Sequence, residues 1–302
     1  PPWLTVTPRI GGRATYYTSS YALSASGRPI SIQEEATDRT YLAGGVDIVG
    51  PSLSKIYNVS LGSFEKLKHV IEPRFEYSYL SDEGDTSRIP RFDEVDNTLP
   101  TNRVRVKIAN LLYGRSAEDL SARDLATFEV SQEYSFSDPL NKMADLESQR
   151  GPLEAILRVT PTREISLDGR ASYDTLVRNM RSLSVSASYS QASGYTNLTW
   201  YESYSPATGE RASSQVRTAF GLGGRTSPFS MDLHLSYDVE DQSFQQQRAQ
   251  LRYRGSCWGL TLEYRDQQLG RFPSRDYRIV IDLKDVGRLF EIQGGLSSMN
   301  EQ

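Results

Sequence analysis

Between residues 231 and 285 the chain alternates apolar and polar side chains so strictly that few backbone conformations suit it. Met231, Leu233, Leu235, Tyr237 and Val239 are separated by Asp232, His234, Ser236 and Asp238. After a polar tip at 240–245, Ala249, Leu251 and Tyr253 alternate with Arg248, Gln250, Arg252 and Arg254. A corner at 254–256 leads to Trp258, Leu260, Leu262 and Tyr264, set against Cys257, Gly259, Thr261 and Glu263. Beyond a tip at 269–274, Tyr277, Ile279, Ile281 and Leu283 complete a fourth segment. A helix repeats every 3.6 residues and would smear this pattern around its axis, whereas a strand sends successive side chains to opposite faces. The stretch therefore predicts four antiparallel strands, aliphatic and aromatic on one face and Arg, Asp, Glu, Gln and Ser on the other.

The same period runs through the rest of the chain. Leu4, Val6, Pro8, Ile10, Gly12, Ala14 and Tyr16 form a first apolar row, with Pro8 better suited to an edge or a distorted pairing than to a central strand. A weaker segment covers 41–49, and 51–66 reads as irregular. Further segments centre on Phe75 to Tyr79, Val104 to Ile108, Phe128 to Phe136, Leu153 to Val159, Ile165 to Tyr173, Leu183 to Tyr189, Leu198 to Trp200 and Val216 to Phe220. The total is about fourteen strands, mostly about 8–12 residues long, near the ~9–11 residues a tilted strand needs to cross a bilayer.

The connections alternate in length. Long ones fall at 18–39, 81–101, 137–152, 175–180, 204–210, 240–246 and 267–274, and mostly short ones lie between them. A soluble β-sandwich also alternates along its strands, but it has no reason to sort loops by side. An outer-membrane barrel does, with short periplasmic turns and longer outer loops. The fold expected is thus all-β, an antiparallel transmembrane β-barrel of about fourteen strands. Residues 1–284 are expected to form the barrel portion and 285–302 a C-terminal periplasmic tail.

Composition sets limits on this reading. A mean hydropathy of −0.52 looks soluble, yet barrels dilute their lipid-facing residues with an equal number of polar ones. No run of eighteen apolar residues supplies a membrane helix. The 18 tyrosines suit aromatic girdles at membrane interfaces. A net charge of −4 gives no nucleic-acid footprint, and a single cysteine cannot build a disulfide framework within the chain. No signal peptide is visible at the start, so the chain is expected to be mature or a fragment.

Several stretches resemble a known family. His69, Val70, Ile71, Glu72, Pro73 and Arg74, followed by Phe75, Glu76 and Tyr77, resemble the "KH-x-IEPR" strand of the LptD family, the lipopolysaccharide-assembly proteins of the Gram-negative outer membrane. Arg88, Ile89, Pro90, Arg91, Phe92 and Asp93, continuing to Asp96, resemble the loop after that strand, and Asn102 and Arg103 the start of the next. Val6 to Arg9 and Asp47 to Pro51 also fit, as do Cys257 with Trp258 and Ile281 to Lys284. The resemblance implies the C-terminal half of a barrel of about twenty-six strands. It implies transport of lipopolysaccharide without bond chemistry, with sideways exit between the first and last strands.

The partners it implies are lipopolysaccharide, membrane lipids, a lipoprotein plug inside the barrel, and a periplasmic bridge protein reached through an N-terminal domain not in this chain. On this chain the last-strand side of the exit would be Tyr277, Ile279, Ile281 and Leu283. Family members typically carry two adjacent cysteines that bond to the N-terminal domain; here Ser256 precedes Cys257, so at most one such bond can form. Arg248, Arg252 and Arg254 are expected to face the lumen, where they either solvate it or meet lipid phosphates or the plug.

The acidic stretch 82–96 matches no calcium loop, and neither metal nor cofactor is expected. His234 beside Asp232 has no nucleophile motif around it, so an enzyme is not expected. The alternative function is a passive outer-membrane solute channel, which would conduct as an isolated closed barrel.

Overall fold

The computed structural model describes residues 3–62, 64–81, 87–89, 99–117, 121–143, 146–224, 227–268, 273–284 and 286–297. Strands dominate them, and no helix occurs among them. The first strands are β1 (Thr5–Tyr17), β2 (Ser20–Leu23), β3 (Pro29–Gln33), β4 (Thr37–Val49), β5 (Leu53–Leu61) and β6 (Phe64–Leu80). Next come β7 (Thr101–Ser116), β8 (Ala122–Ser135), β9 (Asn141–Met143), β10 (Leu146–Ser148), β11 (Arg150–Val159), β12 (Ile165–Asp174), β13 (Asn179–Gln191) and β14 (Gly194–Tyr204). The series ends with β15 (Arg211–Leu222), β16 (Phe229–Asp238), β17 (Ser243–Arg254), β18 (Trp258–Gln267), β19 (Ser274–Leu283) and β20 (Gly287–Ser297).

Sixteen strands form one antiparallel sheet in the order β1-β4-β6-β7-β8-β11-β12-β13-β14-β15-β16-β17-β18-β19-β20, with β5 paired to β6. Two small hairpins, β2–β3 and β9–β10, stand apart and fill long connections. The twenty strands among the described residues exceed the fourteen expected, because six elements escape the alternation test. Four of these are the short hairpin strands. The other two are corrections. Residues 51–66, expected to be irregular, contain β5 and a turn at Gly62, whose φ of 57° suits a residue without Cβ. Residues 285–302, expected to be a tail, contain β20, which pairs with β19 from Ser274↔Ser297 to Leu283↔Gly287.

By contact density the chain divides into two compact units. One comprises Pro1–Asn58, Lys68–Leu111 and Glu129–Leu153. The other comprises Val59–Leu67, Leu112–Phe128 and Glu154–Gln302. In the first, β1 pairs with β4 through thirteen residue pairs, from Thr5↔Val49 to Tyr17↔Thr37. In the second, β12 to β20 form consecutive antiparallel hairpins.

Burial is inverted relative to a soluble domain. Among the described residues Asp174, Ser20 and Ser214 are the largest fully buried side chains, and Glu202, Asp238 and Asp266 are also buried. The buried hydrophobics among them are few: Tyr17, Val70, Ile89, Val104, Ala109, Leu125 and Val280. Meanwhile Ile10, Trp258, Leu251, Ile279 and Phe229 are exposed. Folding in water hides apolar surface first. A sheet that does the opposite presents its apolar face to something other than water.

Candidate functional site

Register shows how that apolar face is assembled. Ile165, Tyr189, Thr196, Phe220, Leu233, Ala249, Tyr264 and Tyr277 lie opposite one another across β12 to β19. One step along, Leu222, Met231, Leu251, Leu262, Ile279 and Ile292 continue the same surface onto β20. Aromatic clusters close it at both ends. Tyr253 packs against Phe229 at 4.8 Å and against Trp258 at 5.1 Å near the short turns, while Tyr237 meets Phe244 edge-on at 5.1 Å near the long loops. Phe229 and Tyr237 are about eight residues apart on β16, or about 26 Å at ~3.3 Å per residue. At a tilt of about 40° this spans about 20 Å along a membrane normal, of the order of the ~25 Å apolar band between aromatic girdles of membrane-spanning strands.

The opposite face is polar, and many of its charges are paired. Glu263, with its side chain 8% exposed, is approached by Arg248 at 2.8 Å, Arg265 at 3.1 Å and Arg278 at 4.0 Å. Arg248 Nε is buried and not aligned for a hydrogen bond, so its link to Glu263 is electrostatic. Arg278 also donates to Glu291 on β20 at 2.7 Å, and Glu291 pairs in turn with Arg288. This ladder joins β17 to β20. Of the three arginines expected to share a face, Arg248, Arg252 and Arg254 do share the polar face by register. Only Arg248 belongs to the ladder.

At the long-loop ends, each of β12, β14, β16 and β18 carries a buried carboxylate beside the hairpin. Asp174 accepts from the Leu176 amide at 2.8 Å and from Arg181 at 2.8 Å. Asp238 repeats the pattern with the Glu240 amide at 3.0 Å and Gln245 at 2.6 Å. Both tips place a residue at positive φ, Arg178 at 59° and Gln242 at 49°. Asp266 holds Arg275 at 2.9 Å and Glu202 holds Arg211 at 3.1 Å. The sequence carried a signal for this, an acidic residue at the end of alternate strands, which a search for alternation passes over. At the opposite end Glu164, in the turn before β12, keeps its carboxyl below the usual range, first because of its hydrogen bond with Thr162.

The motif residues converge in the first unit. Pro73 sits where β6 changes partner. Above it β6 pairs with β4 as far as Val49↔Arg74, and the Gly50 amide donates to the Pro73 carbonyl at 2.8 Å. Below it β6 pairs with β5. Proline has no amide to offer a ladder, so it fits the point where one ladder stops. Gly50 is required there, since a Cβ would lie 2.9 Å from Pro73 Cγ. Glu72 accepts from Arg74 at 2.6 Å and from Ser52 at 3.3 Å, tying down the crossing.

Nearby, Arg9 reaches Asp47 at 3.1 Å and Glu76 at 3.6 Å, offsetting two carboxylates that lie opposite one another. Gly45, opposite Arg9, leaves room for the guanidinium. Arg88 pairs with Glu35, and its carbonyl accepts from the Tyr21 amide at 2.8 Å, so Arg88 is held to the β2–β3 hairpin and to Glu35 just beyond it. His69 is half-buried on β6. Pro90, Arg91, Phe92 and Asp93 lie outside the described residues.

The family model described as LptD, LPS transport system D, matches residues 1–224. The chain belongs to the LptD family. Membership gives it a role in lipopolysaccharide transport and places it in a family of outer-membrane transport proteins. No curated protein matches the sequence. The matched span takes in all the clustered motif residues of β1, β4 and β6 and ends just after β15.

Beyond the matched span lie the remaining candidates. Cys257 is exposed and free, in the short turn between β17 and β18, where its carbonyl accepts from the Lys284 amide at 3.0 Å. Tyr277, Ile279, Ile281 and Leu283 line the apolar face of β19. They were expected to form the last strand, and this is corrected: β20 covers the far edge of β19. Within β20 Phe290 and Ile292 alternate with Glu291 and Gln293, but Leu289 falls at a register shift and Gly294 and Gly295 leave the apolar row short, so the sequence signal is weak.

Proposed function

We infer that this LptD-family chain is the strand-built wall of a lipopolysaccharide translocon integral to the Gram-negative outer membrane. The apolar face of β12 to β20 meets lipid, and the polar face, with Arg248, Arg252 and Arg254, lines the aqueous route. The observation that carries the reading is the inverted burial, an exposed apolar band ended by aromatic clusters opposite a face of paired charge. Backbone groups in hydrocarbon need partners, which favours closure with further strands beyond β1 and β20. In this reading lipid leaves sideways between two barrel strands, and β19, paired with β18 on one edge and β20 on the other, is not one of them.

A lipoprotein plug and a periplasmic bridge protein complete the assembly, with Cys257 available for one disulfide to an N-terminal domain in the oxidising periplasm. No step makes or breaks a bond in the lipid; the fold guides an amphiphile by its two faces.

The test is depletion of the full-length protein in its own Gram-negative cell while newly made lipopolysaccharide is followed to the surface. Lipid accumulating inside while other barrels still insert is the expected outcome. Normal delivery with lost permeability to small solutes would replace the translocon by a passive channel.

A further inference from the structure

At the short-turn end of the polar face, a cavity of about 620 Å³ opens between β17, β18 and β19. Its charged lining is Arg252, Arg254, Lys284 and Asp282, which leaves positive charge in excess. Gly259 lies opposite both Arg254 and Asp282 in register, and its missing side chain makes the floor. A Cβ there would touch only the Tyr253 carbonyl, at 3.4 Å, so the space is free rather than packed.

The arginines above this cavity are ion-paired. Arg248, Arg265 and Arg278 share Glu263, and Arg288 is held by Glu291. Arg252, Arg254 and Lys284 make no ion pair among the described residues, which do not include position 285. Asp282 lines the same cavity without coming within 4.0 Å of any of them. A fold that neutralises its other polar-face cations on β17 to β20 and leaves these around an open cavity has kept them for an anion.

We propose that this cavity binds the phosphate of a phosphorylated lipid headgroup at the short-turn rim. Two guanidiniums offer planar, bidentate donors suited to phosphate, and the lysine adds a point charge. The lipid source, rather than free phosphate, follows from position. Tyr253 and Trp258 border the cavity and also line the apolar groove on the other face together with Phe229, Leu251, Leu260 and Leu262. A charged head and an apolar tail thus find matching surfaces at one rim. The proposal rests on the transport reading above, since it assigns the site to the same class of phosphorylated amphiphile.

The test uses the purified full chain in maltoside micelles, carrying W3F and W200F so that Trp258 is the reporter among this chain's tryptophans. Monododecyl phosphate should shift its emission, and Arg252→Gln with Arg254→Gln should weaken that response about tenfold or more. Lys284→Gln, in an exposed turn that tolerates change, should weaken it less, and Arg288→Gln should leave it unaltered. Should the double arginine variant fail to fold, the Lys284→Gln and Arg288→Gln pair carries the test.

An equal response to inorganic phosphate would overturn the lipid source. Binding of a hexaglutamate peptide in place of monododecyl phosphate would reassign the cavity to an acidic protein segment. A folded double arginine variant that binds like its parent would overturn the site outright. Any of these with lipopolysaccharide delivery intact in cells would leave the transport reading standing.

Discussion

On β13 and β14 the polar face is uncharged: Ser182, Ser184, Ser186 and Ser188 stand opposite Ser203, Tyr201, Thr199 and Asn197. On β17 to β20 the same face is built from charge, with Glu263 among three arginines and Glu291 between two. The apolar faces behind these two regions are alike, Val185, Leu198 and Trp200 in one and Leu251, Leu262 and Ile279 in the other, all exposed. The contrast separates two demands. The apolar face answers to one environment everywhere, so its chemistry does not vary. The polar face can be satisfied by hydroxyl pairs such as Ser186 with Thr199 at 3.0 Å, or by an ion ladder, and the choice between them is local.

The largest effects should ignore the contrast. Leu198→Arg and Leu262→Arg each put a charge on the apolar face and should cost ~2–4 kcal/mol in equilibrium unfolding from lipid vesicles. Thr199→Arg, one residue away on the polar face, should cost well under that. A cost as large at Thr199 would mean the faces are wrongly assigned.

The next effect should reveal the contrast. Glu263→Gln leaves three arginines without their shared carboxylate and should cost ~1–3 kcal/mol, discounted because the arginines are about a third exposed. Raising salt should weaken the parent ladder and narrow the gap between parent and variant. Ser186→Ala in the hydroxyl region should cost ~0.5–1.5 kcal/mol and show no such salt dependence. Matching salt responses would erase the distinction.

How much of this was legible in the sequence depends on what period two can report. β16 to β19 were visible because Met231 to Val239 and Trp258 to Tyr264 alternate without a break. β5 was not, since Ile56 and Tyr57 are adjacent and put apolar side chains on both faces. The ladder was hidden for another reason. That Glu263 sits between Gln250 and Arg278 is a matter of register, fixed by turn lengths that residue identities alone do not give. The family stretches were readable as resemblances, but their physical meaning was not. Only pairing shows that Pro73 ends one ladder, that Gly50 must be small to pass it, and that Arg9 holds two facing carboxylates together.

The smallest expected effect lies in the turn that leads into β12. Glu164 has its folded pKa held below its ordinary value, so this contribution to stability is present above the unfolded pKa and fades as pH falls through the lower folded one. Thr162→Ala should bring the carboxyl back toward its ordinary value. NMR titration of Glu164 would show an upward shift, and an unchanged midpoint would remove Thr162 as the cause.

The central claim is that one face of this sheet meets hydrocarbon and the other meets water. Its most direct test is a spin-label scan along β18, residues 258–266, in the full chain with Cys257→Ser, comparing collisions with oxygen and with a water-soluble nickel chelate. Labels at Leu260, Leu262 and Tyr264 should favour oxygen, and labels at Gly259, Thr261 and Glu263 should favour the chelate, alternating residue by residue. A flat profile, or the opposite phase, would contradict the account.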